Sequence, residues 1–434
     1  MCIRDRFSID RQWGFFPAGS VGWRVSEESF FKNSQALAFV NNMKLRASYG
    51  KMGDDNSSSY QFLSGYNYPA WGYVFNGQWT NSLGMRGMAN PYITWYTAKT
   101  LNLGIDADMW KGLLGVQFDL FNRKRDGLLA TRNLSLPGTV GAGLPQENLE
   151  GDLTKGFEIA LTHKNKIGGL NYFISGNMAY SRTRWQYKEI AKSGNSYQNW
   201  TDNSTNRYND LWWGYGYVGP FNSYDQAYAA PNQDSKGNSI LRPGDSEYVD
   251  WNGDGIIDGN DNHPIAMEGY PKINYGISIG VNYIGFDLNL GFQGTAQSYV
   301  RYPEQLETPL LWERNSLAMF MDRWHLSDPT DPNSAWIPGH YPSTNTGETT
   351  NYASSERLAQ NASYLRLKSL EFGYSIPVKI LKNSGVQKVR IYFTGYNLLT
   401  FTGIKYLDPE HPADSNGYLY PLSKTYNMGI SLTF

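Results

Sequence analysis

Strict two-residue alternation constrains this chain more than any other feature. Between 274 and 283, Tyr275, Ile277, Ile279, Val281 and Tyr283 alternate with Asn274, Gly276, Ser278, Gly280 and Asn282. A strand points successive side chains to opposite faces, so this stretch has one apolar face and one small, polar face. After Ile284 and Gly285 the pattern resumes, with Phe286, Leu288, Leu290 and Phe292 set against Asp287, Asn289, Gly291 and Gln293. So short a gap predicts a tight hairpin. The same alternation carries Leu101, Leu103, Ile105, Ala107 and Met109; Val116, Phe118 and Leu120; Phe157, Ile159 and Leu161; Leu370, Phe372, Tyr374 and Ile376; and Val389, Ile391 and Phe393. The chain reads as all-β and antiparallel, with about eleven or twelve strands over 1–434 in a single wall. The least regular of these lie at Phe7 to Val25 and Met43 to Gly50.

A soluble sandwich would bury its apolar faces and could carry this pattern. Two features favour a transmembrane β-barrel. The polar faces are rich in Gly, Asn, Asp, Gln and Ser, and the runs reach about ten residues, the length of a tilted membrane strand. The connections also alternate in length. Short turns follow Met109, His163, Tyr283 and Ile376, whereas long loops, expected to lack structure of their own, span 51–94, 127–153, 181–271, 297–361 and 401–424. Connections so long are uncommon in compact soluble domains, but outer-membrane barrels combine short periplasmic turns with long outer loops. If Phe434 lies on the periplasmic side, every long loop falls outside the cell. The lack of an apolar run near 18 residues excludes a transmembrane helix and leaves a barrel open.

Composition removes several functions. Basic and acidic residues number 38 and 39, so no basic footprint points to nucleic acid. Cys2 is the only cysteine, which excludes a disulfide framework and a cysteine zinc site. His163, His263, His325, His340 and His411 are scattered without metalloprotease spacing, and neither a nucleophile elbow nor a P-loop occurs. Asp106 and Asp108 fall on the polar face of one strand and read as a solvated wall, not a glycosidase pair. An enzyme is not expected. The chain is rich in aromatics, with 32 Tyr and 14 Trp. Those in predicted loops, Trp71, Tyr73, Phe75 and Trp79, then Trp212, Trp213, Tyr215 and Tyr217, are candidate substrate contacts through stacking on sugars. Aromatics also pack long loops and form interfacial girdles.

One loop has ion-binding spacing. With Asp250 at position 1, Asn252 falls at 3, Asp254 at 5, Gly255 at 6, Ile256 at 7 through its carbonyl, Asp258 at 9 and Asp261 at 12. This matches a twelve-residue calcium loop, although Asp261 is shorter than the usual bidentate Glu. A structural Ca²⁺ is the expectation. The alternative is an Asx-rich turn whose carboxylates cap backbone N–H groups without metal.

The two ends carry different signals. "MCIRDR" has neither the apolar region nor the cleavage site of a signal peptide, so the chain is expected to begin within a longer protein. At the other end Tyr426, Met428, Ile430, Leu432 and Phe434 alternate up to a final aromatic, the form of the signal that outer-membrane barrels present to their assembly machinery.

Several segments, taken together, resemble the SusC/RagA-type TonB-dependent outer-membrane transporters: "WGFFPAGSVGWRVSEESFF", "MKLRASYGKMG", "NPYITWYTAKTLNLGIDADM", "GDLTKGFEIALTH", "YVDWNGDGIIDGNDNHPI", "ASYLRLKSLEFGYSIP", "VRIYFTGYNLLTFT" and "YPLSKTYNMGISLTF". The resemblance runs from about Trp13 to Phe434 and implies the C-terminal half of a 22-stranded plugged barrel. Plug, TonB box and first strands are not among these residues. It further implies outer-membrane import of oligosaccharides or peptides, energised by the TonB complex through a plug, with a SusD-like lipoprotein as lid. Two other readings stand beside it: a secreted, calcium-stabilised all-β protein that binds or hydrolyses carbohydrate, and a passive porin.

Overall fold

A computed structural model describes residues 6–132, 139, 141–311, 315–344, 349–382, 385–410, 420 and 422–434. Eleven strands form one sheet in chain order. They are β1 (Ala18–Arg24), β2 (Val40–Asp54), β3 (Tyr96–Met109), β4 (Leu114–Thr131), β5 (Gln146–Ile167), β6 (Leu170–Tyr187), β7 (Ile273–Tyr283), β8 (Phe286–Ala296), β9 (Tyr364–Ser375), β10 (Lys388–Thr402) and β11 (Thr425–Thr433). The pairs from β1 to β5 and from β7 to β11 are antiparallel. Contacts cluster into two compact units, one of 1–163 with 179–209 and one of 164–178 with 210–434. The alternation had given no sign of this division, because it describes local geometry and not contact density.

Register converts the alternation into rows. In the first unit, Leu45, Ile105, Phe118 and Ile159 lie across from one another, and so do Val21, Ala47, Leu103, Leu120 and Phe157. In the second unit one row joins Val281, Leu288, Phe372, Phe393 and Met428, and the next joins Tyr283, Phe286, Tyr374, Ile391 and Ile430. Cross-strand apolar pairs of this kind are the unit of sheet stabilisation. Many of these side chains remain exposed, including Leu103, Leu120, Phe372 and Met428. The rows therefore face outward and do not close over a core.

The turn at 284–285 shows how short connections work. Ile284 has φ +46° and Gly285 φ +85°. A two-residue hairpin that follows the right-handed strand twist needs positive φ at both positions, which glycine accepts freely and a β-branched residue resists.

Several boundaries differ from expectation. Strand β5 continues through Ile167, so its turn lies at Gly168 and Gly169 and not directly after His163. The loop expected over 127–153 is shorter than that, because β4 and β5 stay paired as far as Thr131 and Gln146. Charged partners such as Arg125 and Asp152 occupy those rows, and an apolar period cannot register them. The weakly alternating Phe7–Val25 stretch is a strand only over Ala18–Arg24, whereas Met43–Gly50 lies within the longer β2.

The long loops are not structureless. Leu211–Gly214 pairs with His263–Met267, Tyr217–Pro220 with Ser246–Tyr248, and Gly72–Phe75 with Gln78–Asn81. A small sealed cluster of Phe221, Ala227 and Leu241 sits within the loop of 188–272. Buried apolar packing thus belongs to the loops more than to the sheet.

Candidate functional site

The polar face of each unit is held by an arginine that spans three strands. In the first unit, Arg46 on β2 donates to Asp106 on β3 at 2.8 and 2.9 Å and to Asp119 on β4 at 3.0 and 2.8 Å. Gly104 lies between Arg46 and Asp119 in the same row. A Cβ there would stand 2.6 Å from the Asp119 carboxylate and 2.7 Å from the guanidinium. In the second unit, Arg390 on β10 donates to Glu371 on β9 at 2.5 Å and to Asp287 on β8 at 3.0 Å through Nε. Its path crosses Gly373, where a Cβ would lie 2.6 Å from the guanidinium. Asp106 is therefore a wall residue paired with a cation, and Asp108 accepts from Asn42 at 3.4 Å.

Toward the long-loop end the polar faces hold further fixed charge. Arg125 donates to Asp152, whose side chain is buried, and the Thr154 and Thr183 hydroxyls meet at 2.9 Å. Asn56, Tyr96, Arg125, Gln146, Glu150 and Trp185 line a cleft of about 540 Å³ in this unit. Its donors, acceptors and aromatic faces suit a hydrated polar solute. In the second unit, buried Arg366 donates to Thr400 at 2.9 Å and to Asp408 at 2.7 Å, while Glu410 receives Lys368 and the Tyr364 hydroxyl, both at 3.1 Å. The three contacts at Asp408 and Glu410 tie the loop after β10 to the sheet.

The predicted aromatics divide into two classes. Trp71, Tyr73, Phe75 and Trp79 sit on the hairpin of Gly72–Phe75 and Gln78–Asn81, each more than 60% exposed. Trp212, Trp213 and Tyr215 are half-buried instead. The Trp212 indole donates to Ser354 Oγ at 2.9 Å, Ser354 donates onward to the Trp213 carbonyl at 2.9 Å, and Tyr215 packs on Tyr248 with ring centres 5.2 Å apart. That second group joins the loop of 188–272 to the segment after 349.

The 250–261 loop gathers its predicted residues around backbone donors. Asp250 accepts from Gly253 at 2.7 Å and from Gly255 at 2.8 Å, Asn252 from Asp254 at 2.9 Å, and Asp254 from Ile256 at 2.8 Å. Asp258 accepts from Asn260 at 2.7 Å, and buried Asp261 from Trp251 and Asp258, both at 2.9 Å. Among the described residues no group of three or more His, Cys, Asp or Glu side chains stands ready to hold a metal ion. Cys2 and His411 lie outside the described residues.

A buried polar frame escaped the sequence reading. Asn351 donates to Asp245 at 2.7 Å and accepts from the Ser246 amide at 2.8 Å, Gln233 donates to the Ser246 carbonyl at 2.6 Å, and the Tyr248 hydroxyl donates to the Thr350 carbonyl at 2.7 Å. Burial pushes the Asp245 carboxyl up against the pull of Asn351, and pushes the Tyr352 phenol up to about 12. Its members lie more than a hundred residues apart in some pairs, as Asp245 and Asn351 do. Ordinary polar residues in unremarkable contexts leave no local signal of such pairing.

The family model "TonB dependent receptor-like, beta-barrel" matches residues 3–282. The chain belongs to that family. Similar relatives include TonB-dependent receptor P3 of Formosa agariphila, 28% identical over 99% of this chain and 43% of its own length. TonB-dependent receptor SusC of Bacteroides thetaiotaomicron is 25% identical over 99% of the chain and 41% of its length. The structure of the RagAB peptide transporter shares the fold, with TM-score 0.71 and 19% identity over 99% of this chain and 44% of that one. The chain thus spans less than half the length of the relatives it matches. Family membership makes the sheet part of an outer-membrane barrel wall and sets aside the secreted reading. The exposed apolar rows become its lipid face and the charged rows its interior.

Proposed function

We propose that these 434 residues supply part of the barrel wall of a TonB-energised importer of oligosaccharides or peptides that works with a SusD-like surface lipoprotein. The observation that carries this reading is the similarity to SusC over nearly the whole chain, supported by the RagAB fold. A polar interior with the 540 Å³ cleft suits hydrated solutes. The exposed aromatics at Trp71, Tyr73 and Trp79 offer flat faces to sugar rings or to the lid, and the half-buried Trp212, Trp213 and Tyr215 are a second candidate set of contacts within their own unit. Uptake by cells lacking the full-length protein should be tested with mixed oligosaccharides and mixed peptides. Loss of one class, restored by the wild-type protein and not when the TonB complex is disabled, is expected. Unchanged uptake of both classes, or import that persists without TonB, would defeat the proposal.

Calcium at 250–261 forms part of the same reading. Each carboxylate oxygen offers about two lone-pair sites, so a cation can share oxygens already bonded to N–H groups. Long loops face outward in such barrels, where millimolar calcium fills even a weak site. Ca²⁺ would be held by Asp250, Asn252, Asp254, the Ile256 carbonyl, Asp258 and Asp261, stiffening the loop without a part in chemistry. Calorimetry on the full-length protein should give calcium binding that Asp250→Ala with Asp254→Ala abolishes; equal binding by that double variant would leave only an Asx turn. Tyr426, Met428, Ile430 and Leu432 on β11, with Phe434 just past its end, serve as the assembly signal. Deleting Phe434 should lower the yield of folded barrel, and an unaltered yield would remove that role.

A further inference from the structure

Cations gather on the lipid-facing side of the first unit, just beyond its apolar rows at the long-loop end. Lys51, Lys99 and Lys124 lie directly across from one another on β2, β3 and β4. Like charges opposite each other destabilise a sheet, so such a row needs compensation. Asp126 supplies one carboxylate, 3.2 Å from Lys99 and 3.1 Å from Lys124. On β5 and β6, Lys155, Arg182 and Arg184 line a cleft of about 160 Å³ with Leu153, Tyr180 and Tyr208. Arg182 stacks over the Tyr208 ring at 3.7 Å.

The position of these cations repeats from strand to strand. Lys51 follows Tyr49, Lys99 precedes Leu101, Lys124 follows Leu120 and Asn122, Lys155 precedes Phe157, and Arg182 follows Tyr180. Each is thus within one or two outward-facing positions of the apolar run on its strand. Phe157 and Tyr180 are ring neighbours with centres 5.7 Å apart, which aligns β5 and β6 at this height. In the second unit the outward pair that stands as far from its short turn as Lys99 and Lys124 do from theirs is apolar, Ile273 with Ala296. The basic belt is therefore not a general requirement of a strand leaving the membrane.

An outward-facing cation at the end of an apolar run sits at headgroup height, and each Lys or Arg near an anionic membrane surface adds to attraction. Ammonium and guanidinium groups both bind phosphate, the guanidinium as a fork and the ammonium as a point charge. We propose that Lys99, Lys124, Lys155, Arg182 and Arg184 form a binding site for the phosphate-bearing headgroup of an outer-leaflet lipid, whose chains lie along Leu101, Leu120, Phe157 and Tyr180. The inference rests on the outer-membrane placement and outward long loops, and is independent of which solute the barrel imports.

Full-length protein in neutral detergent tests this by native mass spectrometry with phosphatidic acid, phosphatidylcholine or inorganic phosphate as the probe. Phosphatidic acid should be retained over phosphatidylcholine, and excess inorganic phosphate should displace it poorly. The triple variant Lys124→Gln, Lys155→Gln, Arg184→Gln should weaken retention by roughly tenfold to a hundredfold. Lys111→Gln, Lys164→Gln and Lys166→Gln, which remove equal charge near the short turns, should leave it unchanged. The charge-keeping set Lys124→Arg, Lys155→Arg, Arg184→Lys should retain lipid and shows that a loss in the Gln set is not misfolding. Equal retention of the two lipids, full competition by inorganic phosphate, or no loss in the Gln set relative to the control set would overturn the site.

Discussion

Arg46 on β2 grips Asp119 on β4, two strands away, across Gly104 on the strand between them. A side chain at 104 would occupy the space the guanidinium uses. Gly104→Val should therefore break the clamp and leave Asp106 and Asp119 without their shared cation. Both carboxylates are partly exposed, so solvent screens the loss. A cost of about 1–3 kcal/mol is expected from the charged hydrogen bonds. Urea unfolding of the full-length barrel in lipid should show it, and Arg46→Ala should cost little further in the Gly104→Val background. Additive losses would mean that Gly104 acts on something other than Arg46.

Row membership fixes which residues meet lipid. Ile279 lies across from Leu290, and Ser278 across from Gly291. In the full-length protein, a water-soluble thiol reagent should modify Ser278→Cys and spare Ile279→Cys. Ile279→Lys should cost about 2–4 kcal/mol if it lies near the bilayer midplane, whereas a lysine at Tyr283, beside the turn, should cost about 0–1 kcal/mol. Equal labelling at 278 and 279 would contradict the assignment of faces.

Ile284 is 70% exposed and holds φ at +46°. It gains little from packing and carries a conformational cost of about 1–2 kcal/mol. Ile284→Asn, which accepts positive φ more readily, should raise the resistance of the folded protein to urea by roughly 0.5–1 kcal/mol. A destabilised Ile284→Asn protein would show that the isoleucine makes a contact worth more than its strain.

Two carboxylates in the loop of 188–272 should respond to acid in opposite senses. Burial acts to raise Asp234, yet the amides of Ile240, Lys236 and Asn238, at 3.0, 2.7 and 2.7 Å, together hold it below its ordinary 3.8. Its contribution to stability is full above 3.8 and disappears as pH falls through the lowered native value. Asp245 is raised by burial, so the folded loop binds its proton more tightly than the unfolded chain does. Its contribution improves as pH falls through the raised native value toward 3.8, and becomes constant below that. Hydrogen exchange across this range should find the Asp234→Ala defect shrinking in acid. In Asp245→Asn, the decline in loop protection with rising pH should flatten. A defect in Asp234→Ala that grows in acid, or an unchanged slope in Asp245→Asn, would reverse the respective sign.

Face is a local property of a strand, since parity along the chain decides it. The all-β class, the hairpin at 284–285 and the apolar rows around Ile279 and Leu103 were therefore legible in the sequence, as was the family likeness. Register and long-range pairing are not local. Arg46 finds Asp119 from 73 residues away and Asp245 finds Asn351 from 106. Nothing near any of the four residues announces its partner. Trp71 and Trp212 looked equivalent as loop aromatics; the tertiary structure left the first exposed and half-buried the second, its indole bonded to Ser354. The three lysines at 51, 99 and 124 likewise became a row only when β2, β3 and β4 paired. Sequence sets the side on which each residue lies, and only the assembled sheet sets its neighbours, because hydrogen-bond register brings together groups that the chain keeps far apart.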